Sequence, residues 1–139
     1  MSPAEDPMPT TEEGKHLTVL VVEDEVLLRL ALAETLRASG MRVIEAASGE
    51  EARDLLLAGV DVNIVFSDIN MPGGMDGAAL ASWVMAAGAP AHVVLTSGER
   101  HMLEAARDAC PEVKAFIDKP YDHQAIAALL RGLAAPRDV

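Results

Sequence analysis

The chain has 139 residues, half of them hydrophobic and 24% charged, and its 22 acidic against 11 basic residues give a formal net charge of -11. That length fits one domain, which would bury about 68% of its unfolded surface, so a self-sufficient core is available and disorder throughout is excluded. The acidic balance excludes the basic footprint of a nucleic-acid binder, the single Cys110 excludes an internal disulfide or a cysteine-rich zinc module, and no apolar run approaches the ~18 residues of a membrane span.

Residues 1–16 carry Pro3, Pro7 and Pro9, several acids and almost no apolar side chains. They predict a flexible tail, and without an apolar stretch they do not resemble a signal peptide, so the cytoplasm is the expected address. Leu17–Val22 is the first short apolar run and predicts a strand. A helix follows, with Leu28, Leu32 and Leu36 four apart and Gly40 as its stop. Arg42–Ala46 predicts the second strand. Ser48-Gly49-Glu50-Glu51 is a capping-box pattern opening a helix that stops near Gly59. Val62–Ser67 is the third strand. Asp76 is the expected N-cap of a helix from Gly77 to Ala87. Ala91–Thr96 is the fourth strand, and Glu99 to Ala109 the fourth helix. Lys114–Ile117 is the fifth strand. After Asp122, Ile126, Leu129, Leu130 and Leu133 recur at i, i+3, i+4 and i+7, the pattern of a one-faced helix. Residues 136–139 form a short C-terminal tail.

Five strands alternating with five helices predict an α/β fold, a doubly wound (βα)5 unit with a flavodoxin-like parallel sheet. A five-strand unit favours the order 2-1-3-4-5, and such sheets bind ligands beyond the carboxyl ends of strands 1 and 3. The informative residues are therefore those that end the strands. Strand 1 ends in Glu23-Asp24-Glu25, strand 3 in Ser67-Asp68, strand 4 in Thr96-Ser97-Gly98 and strand 5 in Asp118-Lys119-Pro120. In that order Glu23, Asp24 and Asp68 converge, with Thr96 and Lys119 beside them.

Crowded carboxylates repel, and one must protonate unless a cation joins them. Mg2+ suits such a set, because it accepts a few carboxylates and keeps positions for water or phosphate oxygens. Lys119 supplies a mobile positive charge for a phosphoryl oxygen, and the Thr96 hydroxyl can donate to another. One carboxylate is left as a nucleophile, which is the equipment for phosphoryl transfer. Taken singly, each residue has a plain reading: acids in a first helical turn, an Asx turn at Asp68, a solvated lysine, a strand threonine. Their joint placement is what carries the chemistry.

These residues in this order closely resemble the receiver domain of two-component response regulators. The resemblance covers residues 17–134 and rests on Val19-Leu20-Val21-Val22-Glu23-Asp24-Glu25, Asp68-Ile69-Asn70-Met71-Pro72, Met75-Asp76-Gly77, Thr96-Ser97-Gly98 and Lys119-Pro120. It implies a receiver domain over residues 17–135 with Asp68 as phosphoacceptor. Asp24 would ligate Mg2+, with Glu23 close by, and the Asn70 main-chain carbonyl would be a further ligand alongside Asp68. Lys119 would contact the phosphoryl group. Thr96 would move toward it after transfer, and Phe116 would turn inward behind Thr96. A cis bond at Lys119-Pro120 is implied too. The partners implied are a sensor histidine kinase or histidine phosphotransfer protein and a downstream protein, with no nucleic acid and no membrane, in a monomer or weak dimer. The last two strand–helix units, Ala91 to Ala135, would be the switching face, and the domain would be a stand-alone regulator, a relay intermediate or a phosphate sink.

Three departures stand out. Gly73-Gly74 places two residues between Pro72 and Met75 where one is common. Phe116 replaces the more familiar Tyr. Ser97 follows Thr96 where Ala is common, and Gly98 follows Ser97. Together with Lys119-Pro120-Tyr121-Asp122 they resemble single-domain regulators that accompany unorthodox histidine kinases. An Mg-dependent aspartyl-phosphate phosphohydrolase is the alternative, but such enzymes usually carry a second acid where this chain has Asn70. A flavodoxin-like cofactor binder would need a Ser/Thr/Gly-rich loop in place of Glu23-Asp24-Glu25, and flavin-stacking aromatics in a chain that has only 3%. His16, His92, His101 and His123 show no metal-ligand spacing, and Cys110 and Trp83 read as packing residues.

Overall fold

The computed structural model describes residues 16–134, so the predicted tails, apart from His16, lie outside the described residues. Five strands and five helices alternate: β1 (Thr18–Val22), α1 (Val26–Ala38), β2 (Arg42–Ala46), α2 (Gly49–Leu57), β3 (Ile64–Asp68), α3 (Gly77–Ala87), β4 (His92–Ser97), α4 (Arg100–Ala109), β5 (Ala115–Asp118) and α5 (His123–Ala134). All strand pairs are parallel, in the order β2-β1-β3-β4-β5. The expected doubly wound sheet is therefore present. β3 and β4 run to Asp68 and Ser97, each one residue past its predicted end.

β1 and β3 are buried along their whole length, because helices cover both faces of the sheet centre. Side chains alternate between those faces. Leu20, Val22, Val65, Val93 and Leu95 point to one core with Ala52, Leu80, Val84 and Leu103, from α2, α3 and α4. Val19, Val21, Ile64, Phe66 and Val94 point to the other with Leu32, Leu36, Ile126 and Leu130, from α1 and α5. β2 and β5 lie at the edges and are only partly buried.

The helix ends follow the local chemistry. Ser48 Oγ accepts the Glu51 amide at 3.1 Å, as a capping box requires. The Glu51 carboxylate, however, reaches Ala47 N at 2.7 Å, one residue before the cap. Asp76 Oδ1 accepts Ala79 N at 2.8 Å, and α3 ends at Gly88 in the left-handed region at φ 70°. In α1 the predicted apolar stripe holds at Leu32 and Leu36, which are buried, while Leu28 is half-buried. The same helix leaves Leu27 81% exposed, which its sequence pattern did not single out.

Candidate functional site

Backbone hydrogen bonds carry the sheet ladder one rung past the strand ends, and the site residues stand there. Glu23 N donates to Ala46 O at 3.0 Å, Ile69 N to Thr96 O at 2.8 Å and Lys119 N to Ser97 O at 2.9 Å. Asp68 is in register with Thr96, and Ser97 with Asp118. Sheet order thus converts four distant sequence segments into one surface at the carboxyl edge, where the connections after the paired β1 and β3 leave for opposite faces of the sheet.

One carboxylate oxygen from each of Glu23, Asp24 and Asp68 lies within 4.8 Å of the others. Glu23 and Asp68 are buried, and Asp24 is exposed. Lys119 Nζ lies 3.1 Å from Glu23 Oε1 and 3.3 Å from Asp68 Oδ2. Glu25 N donates to Glu23 Oε2 at 3.2 Å, and Asn70 N to Asp68 Oδ1 at 3.3 Å. The bond between Lys119 and Pro120 is cis.

The electrostatics are those of a site short of positive charge. Burial raises the Glu23 carboxyl above its ordinary 4.5, and the neighbouring Asp68 charge adds to the effect. Burial also raises Asp68 above 3.8, although Lys119 opposes it. Burial works against the Lys119 charge, but its hydrogen bond to Glu23 and the charges of Asp68 and Glu23 win, so it is raised above 10.5. Lys119 therefore stays an ammonium at neutral pH, in a cluster that still lacks positive charge.

The other expected residues lie close by but are engaged differently. Thr96 is buried, and its Oγ1 donates to Ile117 O at 2.8 Å. Phe116 is partly buried against the core shared by α2, α3 and α4, and the Arg107 guanidinium stands 4.8 Å from its ring centroid. Asn70 lies on the loop after β3, and its Oδ1 accepts from Ser97 Oγ at 2.6 Å. The histidines contribute nothing to the carboxylate group. Cys110 is buried, with its Sγ 3.2 Å from Ser82 Oγ.

Sequence reasoning missed several supporting residues. Arg29, one turn into α1, donates to Glu23 O at 2.9 Å and to Glu45 Oε1 at 3.0 Å. It anchors the main chain beneath Glu23. Its position on the helix was visible, but its partner on β2 was not. Glu50 Oε2 accepts Gly74 N at 2.8 Å, so α2 holds the loop with the extra glycine. Gly73 adopts φ 100°, a conformation that favours glycine. Gly77 is required by contact: a Cβ there would collide with Asp68 O and stand 2.7 Å from Ile69 Cα. Leu28, Lys119, Pro120, Tyr121 and His123 line a cavity of about 340 Å³ beside the site.

A model of the response regulator receiver domain family matches residues 19–131. The transcriptional regulatory protein PdtaR of Mycobacterium tuberculosis (strain CDC 1551 / Oshkosh) is 37% identical over 117 residues, covering 81% of this chain and 55% of PdtaR. The chain thus spans about half the length of that curated relative. The signal receiver domain of NarL from Mycobacterium tuberculosis superposes with a TM-score of 0.76 at 28% identity, covering 88% of this chain and 99% of that one. The response regulator TrrA of Thermotoga maritima, solved in complex with Mg(2+)-BeF, gives a TM-score of 0.74 at 24% identity, covering 84% and 98%. The chain belongs to the response regulator receiver domain family, whose members are phosphoacceptor switches of two-component systems that interact with histidine kinases and phosphotransfer proteins.

Proposed function

We propose that this receiver domain accepts a phosphoryl group on Asp68 in an Mg2+-dependent reaction and signals through the face built from β4, α4, β5 and α5. One observation carries the reading: Lys119 Nζ lies 3.3 Å from the Asp68 carboxylate, inside a group of three carboxylates. The donor set fits Mg2+, since it offers only oxygen and its two buried members are raised chiefly by burial, which a bound cation would offset. Asp24, Asp68 and the Asn70 main-chain carbonyl would hold the ion, with Glu23 close by. When bound, Mg2+ would neutralise the carboxylates and offset phosphoryl charge.

The chain's own groups account for the rest. An Asp68 oxygen attacks the phosphorus of a phosphohistidine or a small acyl phosphate. The new P–O bond forms as the P–N or P–O bond to the donor breaks. The electron pair leaves with imidazole, which takes its proton from water, or with the carboxylate of the small donor. Lys119 keeps its charge and offsets that on the phosphoryl oxygens. The added charge then competes with Ile117 O for the Thr96 hydroxyl. If Thr96 turns toward the phosphoryl group, Phe116 on the adjoining strand is free to repack, and the change reaches α4 through Arg107. The phosphohydrolase alternative gains no support, because Asn70 bears no acid and its side chain is held by Ser97.

The test is incubation with acetyl phosphate and Mg2+, followed by intact-mass measurement. A gain of one phosphoryl group is expected, with none in Asp68→Asn. No gain with acetyl phosphate, phosphoramidate or any histidine kinase would overturn the proposal.

A further inference from the structure

We infer that Ser97 is a positioning residue for the cation: its hydroxyl holds Asn70 so that the Asn70 main-chain carbonyl faces the carboxylate group. The inference rests on the proposed reading of that carbonyl as a metal ligand. It goes beyond that reading by assigning a task to a side chain that touches neither metal nor phosphoryl group.

Ser97 joins three loops. It is the last residue of β4 and 0% exposed. Its Oγ donates to Asn70 Oδ1 at 2.6 Å, on the loop after β3. The same oxygen accepts Glu99 N at 3.0 Å, at the start of α4. Its carbonyl accepts Lys119 N at 2.9 Å, beyond β5. The strand ladder fixes this serine, so it can act as an anchor.

Asn70 needs an anchor. It is exposed and lies outside regular structure. Its amide reaches Asp68 Oδ1 only at 3.3 Å, a long bond to the carboxylate that the reaction modifies. The 2.6 Å bond to Ser97 is the shorter tether, and it runs to a residue the reaction leaves unchanged. A metal ligand carried on a loop binds well only if its orientation is set beforehand, and outer hydrogen bonds set it. An alanine at position 97 would leave both Asn70 Oδ1 and Glu99 N without this partner.

The test is a Mg2+ titration without any phosphodonor, followed by the backbone amide shifts of Asp24 and Asn70. It uses the full chain as wild type, Ser97→Ala, Asn70→Ala and the double variant. Asn70→Ala keeps the main-chain carbonyl and removes the tether from its exposed end. Each single variant is expected to weaken Mg2+ binding on the order of tenfold, and the double variant no further, because both remove one interaction. Wild-type affinity in either folded single variant, or losses that multiply in the double variant, would overturn the inference. If Ser97→Ala does not fold, Asn70→Ala decides alone on the same criterion. Wild-type protein that binds no Mg2+ overturns the metal reading itself, whereas tight wild-type binding with unchanged variants removes only the role of Ser97.

Discussion

Lys119 Nζ lies 3.1 Å from Glu23 Oε1, across 96 residues of chain. The contact closes the site from the β5 side and sets an ammonium between two buried carboxylates, Glu23 and Asp68.

Replacing Lys119 by Met removes the one cation in contact with both carboxylates among the described residues. Phosphoryl uptake from acetyl phosphate is expected to slow on the order of 10²-fold, as when a single charge-stabilising donor is lost. Metal-free Lys119→Met should also melt below wild type, because two buried carboxylates are left uncompensated. Stopped-flow phosphorylation and calorimetry with chelator measure both, and wild-type uptake would refute the assignment of Lys119.

Asp68→Asn should stabilise the metal-free protein at neutral pH. The sign follows from linkage: a carboxyl whose folded pKa is raised contributes its stability in full below its ordinary pKa, and loses it as pH rises through the raised value. Asp68 is raised above 3.8 and Glu23 above 4.5, chiefly by burial. In chelator, the advantage of Asp68→Asn over wild type is therefore expected to shrink as pH falls through the raised value of Asp68. Saturating Mg2+ should remove it at neutral pH. Urea midpoints across the acid range are the measurement, and a pH-independent gap would contradict the burial argument.

Glu50→Ala removes the acceptor that holds Gly74 N at 2.8 Å. The expected cost is about 0.5–1.5 kcal/mol, the usual worth of one such hydrogen bond. Amide exchange at Gly74 should quicken, while that of the β1 and β3 amides stays slow. Unchanged protection at Gly74 would show that the glycine pair is held by other contacts.

Tyr121 is the single tyrosine of the chain. Burial pushes its phenol up to about 12, and its ring meets Phe66 edge-on with centroids 5.7 Å apart. The stability it contributes is present in full below pH 10.0 and is lost as pH rises through about 12. Phenolate absorbance of the folded protein should therefore show its midpoint near the higher value, and return to the ordinary one in denaturant. A midpoint at the ordinary value in the folded protein would mean that the ring is not sheltered as described.

Much of the fold was legible because its signals are local. Valine-rich runs, Ser48 and Asp76 at helix starts and Gly40 and Gly59 just past helix ends act within a few residues of themselves. Strand order was legible for a related reason, since right-handed crossovers leave a five-strand α/β unit few arrangements. Glu23, Asp24, Asp68, Thr96 and Lys119 could be singled out because each ends a predicted strand. The supports could not. Arg29 meets Glu45, Glu50 meets Gly74 and Ser97 meets Asn70 only once β1, β2, β3 and β4 lie side by side. Thr96 shows the same limit: its residue type allows a phosphoryl contact, but packing against β5 gives its hydroxyl to Ile117 O.

Strands, helices, and the acids and lysine at the sheet's carboxyl edge can be read along the chain, because apolar period and turn chemistry are properties of sequence neighbours. Folding in three dimensions is what buries Glu23 and Asp68 and raises them, sets Lys119 between them, and lets Ser97 tie Asn70, Glu99 and Lys119 together. Burial and charge proximity depend on distances through space, and those are set when the parallel sheet brings its strand ends together.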